Sequence, residues 1–287
     1  MKISRETRGR GGRSEAAQKL LRSAIMAAVL VTSLGPVALG DEAGSNYAEN
    51  DADLIWSFVR ATDAVSANLT AIDQALLNAS HALSSTGIVG PKAREILEGL
   101  TGLGPWVVDC ITVDGDGVIA EVMPTEYQEV EGTSIGDQEH IEELISTRRP
   151  VGLAYIDSVE GVRAMDFASP IFDEEGWFVG AVTVLVNPAE LFGAILAPHQ
   201  PQGGAKIWAM MPDGTIISDP DADQIGRNTF SDPLFQPFPE LLAMAERVEM
   251  ERSGRGTYKI SGTEYELLWT TIDYQGREIR LLLSMSE

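Results

Sequence analysis

Four side chains within AYIDSVEGVRAMDF, Ala154 to Phe167, are of types that hold a small solute. Tyr155 and Asp157 end one apolar strand, while Arg163 and Asp166 interrupt another built otherwise of Val, Ala, Met and Phe. A charge inside an apolar strand needs a partner or a wet cavity, because an unpaired ion leaves water only at great cost. Arg163 can grip a carboxylate through two parallel N–H bonds, and Asp157 or Asp166 can accept donors. An internal pair of Arg163 with Asp157 or Asp166, or one exposed face, satisfies the same residues equally well, and both readings stay open. Trp106 and Tyr127 are further candidates for ligand contact, although Trp106 also reads as packing because it opens a core strand. His140, in DQEHIEELI, reads as solvated, and Arg148-Arg149 before Pro150 reads as a surface pair that can also attract an anion.

Other chemistry finds little support. The three histidines, His81, His140 and His199, have no metal-ligand spacing, and HExxH, GxSxG and GxxxxGK[ST] are all missing, so neither enzyme nor cofactor is called for. The acidic run Asp219, Asp221, Asp223 fails as an EF-hand loop, which needs glycine at its sixth position and glutamate at its twelfth, where this chain has Gln224 and Phe230. It reads as a turn-forming loop. The single cysteine, Cys110, rules out an internal disulfide and, within WVVDCITV, reads as a small buried hydrophobe. Asn68-Leu69-Thr70 and Asn78-Ala79-Ser80 match the glycosylation pattern, but both fall inside a long helical pattern.

The elements that must carry these residues begin after residue 40. Seven Lys or Arg against two Glu precede an apolar run from Ala24 to Gly40, and Ala38-Leu39-Gly40 supplies small residues for a cleavage point. Residues 1–40 therefore read as an export signal or as an N-terminal membrane anchor; the run is shorter than the ~20 residues of an ordinary span. The whole chain of 287 residues has 21 basic and 43 acidic residues, and without 1–40 the balance is 14 to 41, a net charge of −27. So negative a surface excludes nucleic acid as a partner and disfavours anionic lipid.

From Asn50 or Asp51, a candidate cap, apolar residues recur at Leu54, Phe58, Val65, Leu69, Ile72, Leu76 and Leu83, one stripe on a long helix. Gly87 ends it and Pro91 opens a short second helix through Leu100. From Trp106 the period changes to two. Strands are predicted at 106–113 and 118–122, a helix at 137–146, strands at 151–156, 162–172 and 177–186, and a short helix near Pro188. HQPQGG, His199 to Gly204, marks a boundary. The same order then recurs, with strands at 206–211 and 215–218, a helix at 239–251, and strands at 257–260, 264–271 and 278–284. Asp116-Gly117 and Ile135-Gly136 in the first half echo Asp213-Gly214 and Ile225-Gly226 in the second. The fold class is therefore α+β, two tandem modules with antiparallel sheets behind a long N-terminal helix. The divisions are 46–100 for the helices, 105–198 for the first module and 204–287 for the second.

These residues resemble the double Cache sensor domains, extracytoplasmic relatives of the PAS fold. The resemblance covers roughly Asn50 to the C-terminus and rests on SPIFDEEGWFVGAVTVLV, on DGTIISDPDADQIGRNTF, on the preceding long helix and on the signal-like start. It implies binding of a small extracellular molecule in the membrane-distal module, here the first. Cache receptors carry an output domain beyond a second span, whereas this chain stops at Glu287, so signalling is expected through a partner. Amino-acid-binding members resemble one another in a Tyr, Arg, Trp-Tyr set followed by a tyrosine and an aspartate. Tyr155 can match the later tyrosine, but no Trp-Tyr pair precedes it, and Leu185 stands where the aspartate is expected. The expected function is an exported sensor of a small polar or anionic solute, free or tethered at the cell surface. The alternatives are a cell-envelope interaction module whose helix stripe pairs with itself or another chain, and a solute-capturing protein for a transporter.

Overall fold

The computed structural model describes residues 42–286. The export or anchor segment expected at 1–40 lies outside them. Contacts divide the chain after Val59, and the division falls within the first helix, α1, which runs Glu42–Thr86. It begins earlier than the expected cap, so Asn50 and Asp51 are interior helical residues. Gly87 closes it with φ +83° and donates its N–H to Leu83 O, as a left-handed C-terminal glycine does. From Val65 onward the stripe of Leu69, Ile72, Leu76 and Leu83 is buried within the chain itself. That part of the stripe is occupied and is not a free face for pairing. Helix α2, Pro91–Thr101, follows and packs on the first two strands.

The first module contains β1 Val107–Asp114, β2 Ile119–Met123, α3 Glu139–Thr147, β3 Val151–Asp157, β4 Arg163–Phe172 and β5 Phe178–Val186, in sheet order β2-β1-β5-β4-β3. After α4, Pro188–Leu196, the second module contains β6 Lys206–Met210, β7 Ile216–Ser218, α5 Pro239–Met250, β8 Ser253–Ile260, β9 Thr263–Tyr274 and β10 Arg277–Ser286. Its order, β7-β6-β10-β9-β8, repeats the first, and every pairing is antiparallel. Among the described residues no helix is long and apolar enough to cross a membrane.

The repeated Asp-Gly and Ile-Gly pairs have one structural task in both modules. Each Asp-Gly turns the chain into β2 or β7, and the loop that follows runs back along that strand. Ile135 N donates to Gly117 O, and Gly226 N to Ile216 O, each at 2.8 Å. Bridges Val118 to Ser134 and Thr215 to Asn228 occupy matching places. At Gly117 a side chain is impossible on two counts, a φ of +84° and the backbone of Gly136 against it.

Alternation along the first sheet sorts its residues to two faces. Cys110, Val184 and Phe167 lie in one row and are fully buried. Burial, then the charges of Asp109 and Asp166, push the Cys110 thiol well up, so it is no thiolate nucleophile. The next row, facing the other way, is Asp109, Leu185 and Asp166.

A joint holds the two modules and the later part of α1 together. The Tyr274 ring, from the end of β9, meets Phe167 of β4 edge-on at 5.5 Å, and its hydroxyl donates to Asp73 Oδ1 of α1 at 2.7 Å. Gly152 of β3 makes room, since a Cβ there would collide with that ring. Arg277 adds an ion pair to Glu143 of α3 at 2.9 Å.

Candidate functional site

Strand register builds the site. Asp109 of β1 and Asp166 of β4 both stand opposite Leu185 of β5, so all three point to the same face. The two carboxyls sit about two strand spacings, roughly 10 Å, apart. The aspartate expected at position 185 is thus replaced by a leucine flanked by carboxyls on either side. Both are almost fully buried, at 1% and 4% exposure.

His140 completes the arrangement, and here the expectation of a solvated side chain is corrected. It is 3% exposed and its Nε2 lies 3.0 Å from Asp166 Oδ2. The reason is helical phase: His140, Ile141 and Leu144 share the inward face of α3, and the two aliphatic residues carry the histidine inside with them. With Nε2–H donated to the Asp166 carboxylate, Nδ1 is an acceptor in the neutral ring and a donor in the imidazolium.

These groups surround a cavity of about 20 Å³, lined also by Ile111, Thr183, Gln138 and the β3–β4 turn of Ser158, Val159 and Glu160. Four buried polar atoms on this wall have no hydrogen-bond partner: Asp109 Oδ2, Asp166 Oδ1, His140 Nδ1 and Ser158 Oγ. Folded proteins pair nearly all such atoms, so four together mark a place where something else supplies the partner. Burial first, then the nearby charges of Glu160 and Asp166 and a hydrogen bond shared with the Glu160 carboxyl, raise the Asp109 carboxyl from 3.8 to about 9. At neutral pH it is a neutral acid that can donate or accept.

A second, larger cavity of about 380 Å³ lies between the modules and shares His140 and Ile156 with the first as a common wall. Tyr155 and Arg163 line it, facing Met211, Pro212 and Asp213 of the second module. Tyr155 is half-buried, and burial raises its hydroxyl against the opposing effect of Arg163.

The candidates read from the sequence are distributed as follows. Asp166 lines the inner cavity. Arg163 stands at the strand end, its side chain 57% exposed, 3.6 Å from Asp157 Oδ1, with its guanidinium 4.9 Å above the Tyr155 ring. Arg163 and Asp157 thus lie outside the inner cavity, and Arg163 borders the larger one. Tyr127, in a 3-10 turn at Thr125–Val130, packs its ring on the core of the first module. Partial burial, Glu126 and then Asp109 and Glu160 raise its hydroxyl, so it borders the acidic cluster. Trp106 precedes β1, lies against Gly104 and lines neither cavity. Asp109 and His140, the two strongest contributors, carried a signal in the sequence: Asp109 alternates in phase with Ile111 and Val113, and His140 lies one helical turn from Leu144. Asp219 to Asp223 form a turn held by Asp221 N on Asp219 Oδ1 at 2.7 Å, and no group of His, Cys, Asp or Glu among the described residues is arranged for a metal ion.

Residues 67–188 match the family model of the HK/GC/chemotaxis protein-like sensor domain. An extracellular ligand-binding receptor from Desulfohalobium retbaense DSM5692 is 33% identical over 79% of this chain, with a TM-score of 0.69. This chain spans 39% of the length of that receptor. The ligand-binding domain of Pseudomonas fluorescens chemoreceptor CtaA, in complex with L-serine, is 16% identical with a TM-score of 0.59, covering 79% of this chain and 92% of its own. The ligand-binding domain of the Pseudomonas aeruginosa PAO1 amino acid chemoreceptor PctC, in complex with GABA, gives 13% and 0.59, covering 78% and 94%. At those identities the two Pseudomonas domains show the shared fold. No curated protein matches the chain by sequence.

Proposed function

From the premise that this chain carries a tandem Cache sensor domain of the chemoreceptor and histidine-kinase kind, we propose that its first module binds a small solute through a donor-rich group, an ammonium above all. The observation that carries this reading is the set of four unpartnered polar atoms around one cavity. All four are or can be acceptors, and an anion would meet Asp166 and Glu160 with like charge. The exposed Arg163, already paired with Asp157, gives no support to a carboxylate in the inner cavity.

A volume of about 20 Å³ holds one water and no larger solute, so binding goes with opening. The segment that opens is the β3–β4 turn, a short hairpin tip held by Ser158 N on Val162 O at 2.9 Å and Gly161 N on Ser158 O at 3.0 Å. Val159 at its crest is 40% exposed, so little hydrocarbon holds the tip down. An ammonium between Asp166, His140 and Asp109 favours ionised Asp109, so capture releases a proton below about pH 9 and affinity rises with pH.

Capture also reaches the second module. Drawing His140 inward shifts α3, which carries Glu143 and its ion pair to Arg277 at 2.9 Å. A partner that distinguishes the two settings of this link reads the ligand as a population shift. The protein in this reading is exported and works as the input half of a signalling pair.

Titration calorimetry of the chain with small primary amines, amino acids and simple carboxylates tests the proposal. Amine-bearing compounds bind, their affinity climbs from pH 6 to pH 9, and Asp166→Asn abolishes the heat. A carboxylate lacking any amine that binds in the first module, or amine binding indifferent to Asp166→Asn, overturns it.

A further inference from the structure

The second module holds a cavity of its own, about 310 Å³, between its sheet and the segment that leads into α5. That lies within the range of small-molecule sites, and its lining differs from everything in the first module. Trp208 of β6, Tyr258 of β8 and Tyr265 of β9 supply rings from the sheet, and Phe235, Phe238 and Leu241 face them from the other side. Tyr258 and Tyr265, direct cross-strand partners, stack on one another with centroids 5.5 Å apart and planes at 16°, an aromatic pair on the cavity's sheet side. Leu234 at the rim is 45% exposed.

One end of this cavity is polar. Lys206 of β6, its side chain 40% exposed, reaches Asp219 Oδ1 at 3.3 Å, a long contact for an ammonium with three N–H groups. Asp219 is better satisfied, since the same oxygen takes the Asp221 N–H at 2.7 Å and the side chain is 6% exposed. The Tyr258 hydroxyl is pushed up to about 12 by burial, then by Tyr265 and Asp219, so it remains a donor throughout the physiological range. Hydrogen-bond donors with capacity to spare therefore sit at one end of an aromatic slot.

We propose that this cavity is a second binding site, for a small aromatic carboxylate whose ring lies among Trp208, Tyr258 and Phe235 and whose carboxylate is held by Lys206. The ring fits a lining of Trp208, Phe235, Phe238 and the stacked tyrosines, where aromatic pairs gain beyond area alone. The charge fits a lysine that a buried aspartate engages only at length. The site is independent of the first module's cavity, with which it shares no residue. It makes the chain a two-input receptor, one module reading donors and the other an apolar acid.

Benzoate, benzyl alcohol and benzylamine titrated into the full chain separate the possibilities, read by calorimetry and by the five indole N–H signals of the tryptophans in a nitrogen-15 spectrum. Benzoate binds and moves the Trp208 signal, benzyl alcohol binds more weakly at the same place, and Lys206→Met weakens benzoate about tenfold while leaving the alcohol within about twofold. Lys206 is partly exposed, so the variant folds, and an unchanged far-ultraviolet spectrum verifies this. Benzylamine binding more tightly than benzoate, benzoate failing to move Trp208, or Lys206→Met leaving benzoate unaffected would each overturn the proposal.

Discussion

The two modules share a strand order, a helix position and a looped-back hairpin, yet their interiors are opposites. The first encloses about 20 Å³ between two buried aspartates and a histidine, the second about 310 Å³ between aromatic rings. Backbone topology is indifferent to this choice, because pairing in both sheets depends on main-chain groups while the inward rows are free to vary. In the first sheet the row opposite Leu185 is carboxylic on both sides. In the second, the neighbours on the cavity face include Trp208 and Tyr265. Fold kinship thus fixes where a site lies and says little about what enters it.

The largest effect on this contrast comes from Asp166→Ala. It strips the buried His140 of its partner and lowers unfolding free energy by about 3 kcal/mol, whereas Asp157→Ala on the exposed pair changes it by less than about 0.5 kcal/mol. Urea unfolding of both variants measures the gap, and equal costs would mean that His140 finds its support elsewhere. Next is Gly254→Ala in β8, where a Cβ would run into the Trp269 ring; overpacking costs about 2 kcal/mol and unsettles the second module's core alone. Amide exchange resolved by residue shows whether the loss stays in that module.

A smaller effect depends on pH. Because the folded chain holds a proton on Asp109 up to about pH 9 that the unfolded chain releases above 3.8, stability falls as pH climbs through that window. Asp109→Asn carries no such proton, so its stability relative to the parent protein rises from about pH 4 to about pH 9 and then levels off. Denaturation midpoints of both proteins across that range reveal the divergence, and parallel curves would remove Asp109 from the description. Smallest is Tyr274→Phe, which keeps the ring against Phe167 and loses only the bond to Asp73, at about 1 kcal/mol by thermal unfolding.

Much of the architecture was legible because periodicity is a local property. Every strand and helix from Pro91 onward was visible as a change of period or a turn signal, and the Asp-Gly repeat announced two modules. The boundaries furthest from expectation are the start of α1, the start of β8 and the end of β9, which runs on to Tyr274 instead of stopping at 271. The long helix continues back through polar residues to Glu42, and β8 begins at Ser253 because Gly254, an unpromising strand residue, accommodates the Trp269 ring. The site was only half legible. Arg163 drew attention as a charge among apolar residues, but it stands at the strand's open end, beside Asp157 and on the wall of the larger cavity. Asp109 escaped notice because strand alternation tells which side a residue faces, never which strand lies beside it. That Asp109 and Asp166 share a row follows from β5 inserting between β1 and β4, a fact of tertiary pairing.

Gly152 gives up a side chain so that a ring from the other module can rest against bare main chain, and that ring's hydroxyl is tied to α1. Sliding either sheet against its neighbour must lift the ring from its seat and break the tie in the same stroke. The arrangement behaves as a latch with more than one tooth: Gln275 also holds Asp73 and Arg277 holds Glu143, so a strain that releases Tyr274 is felt by the other sheet and the helix together.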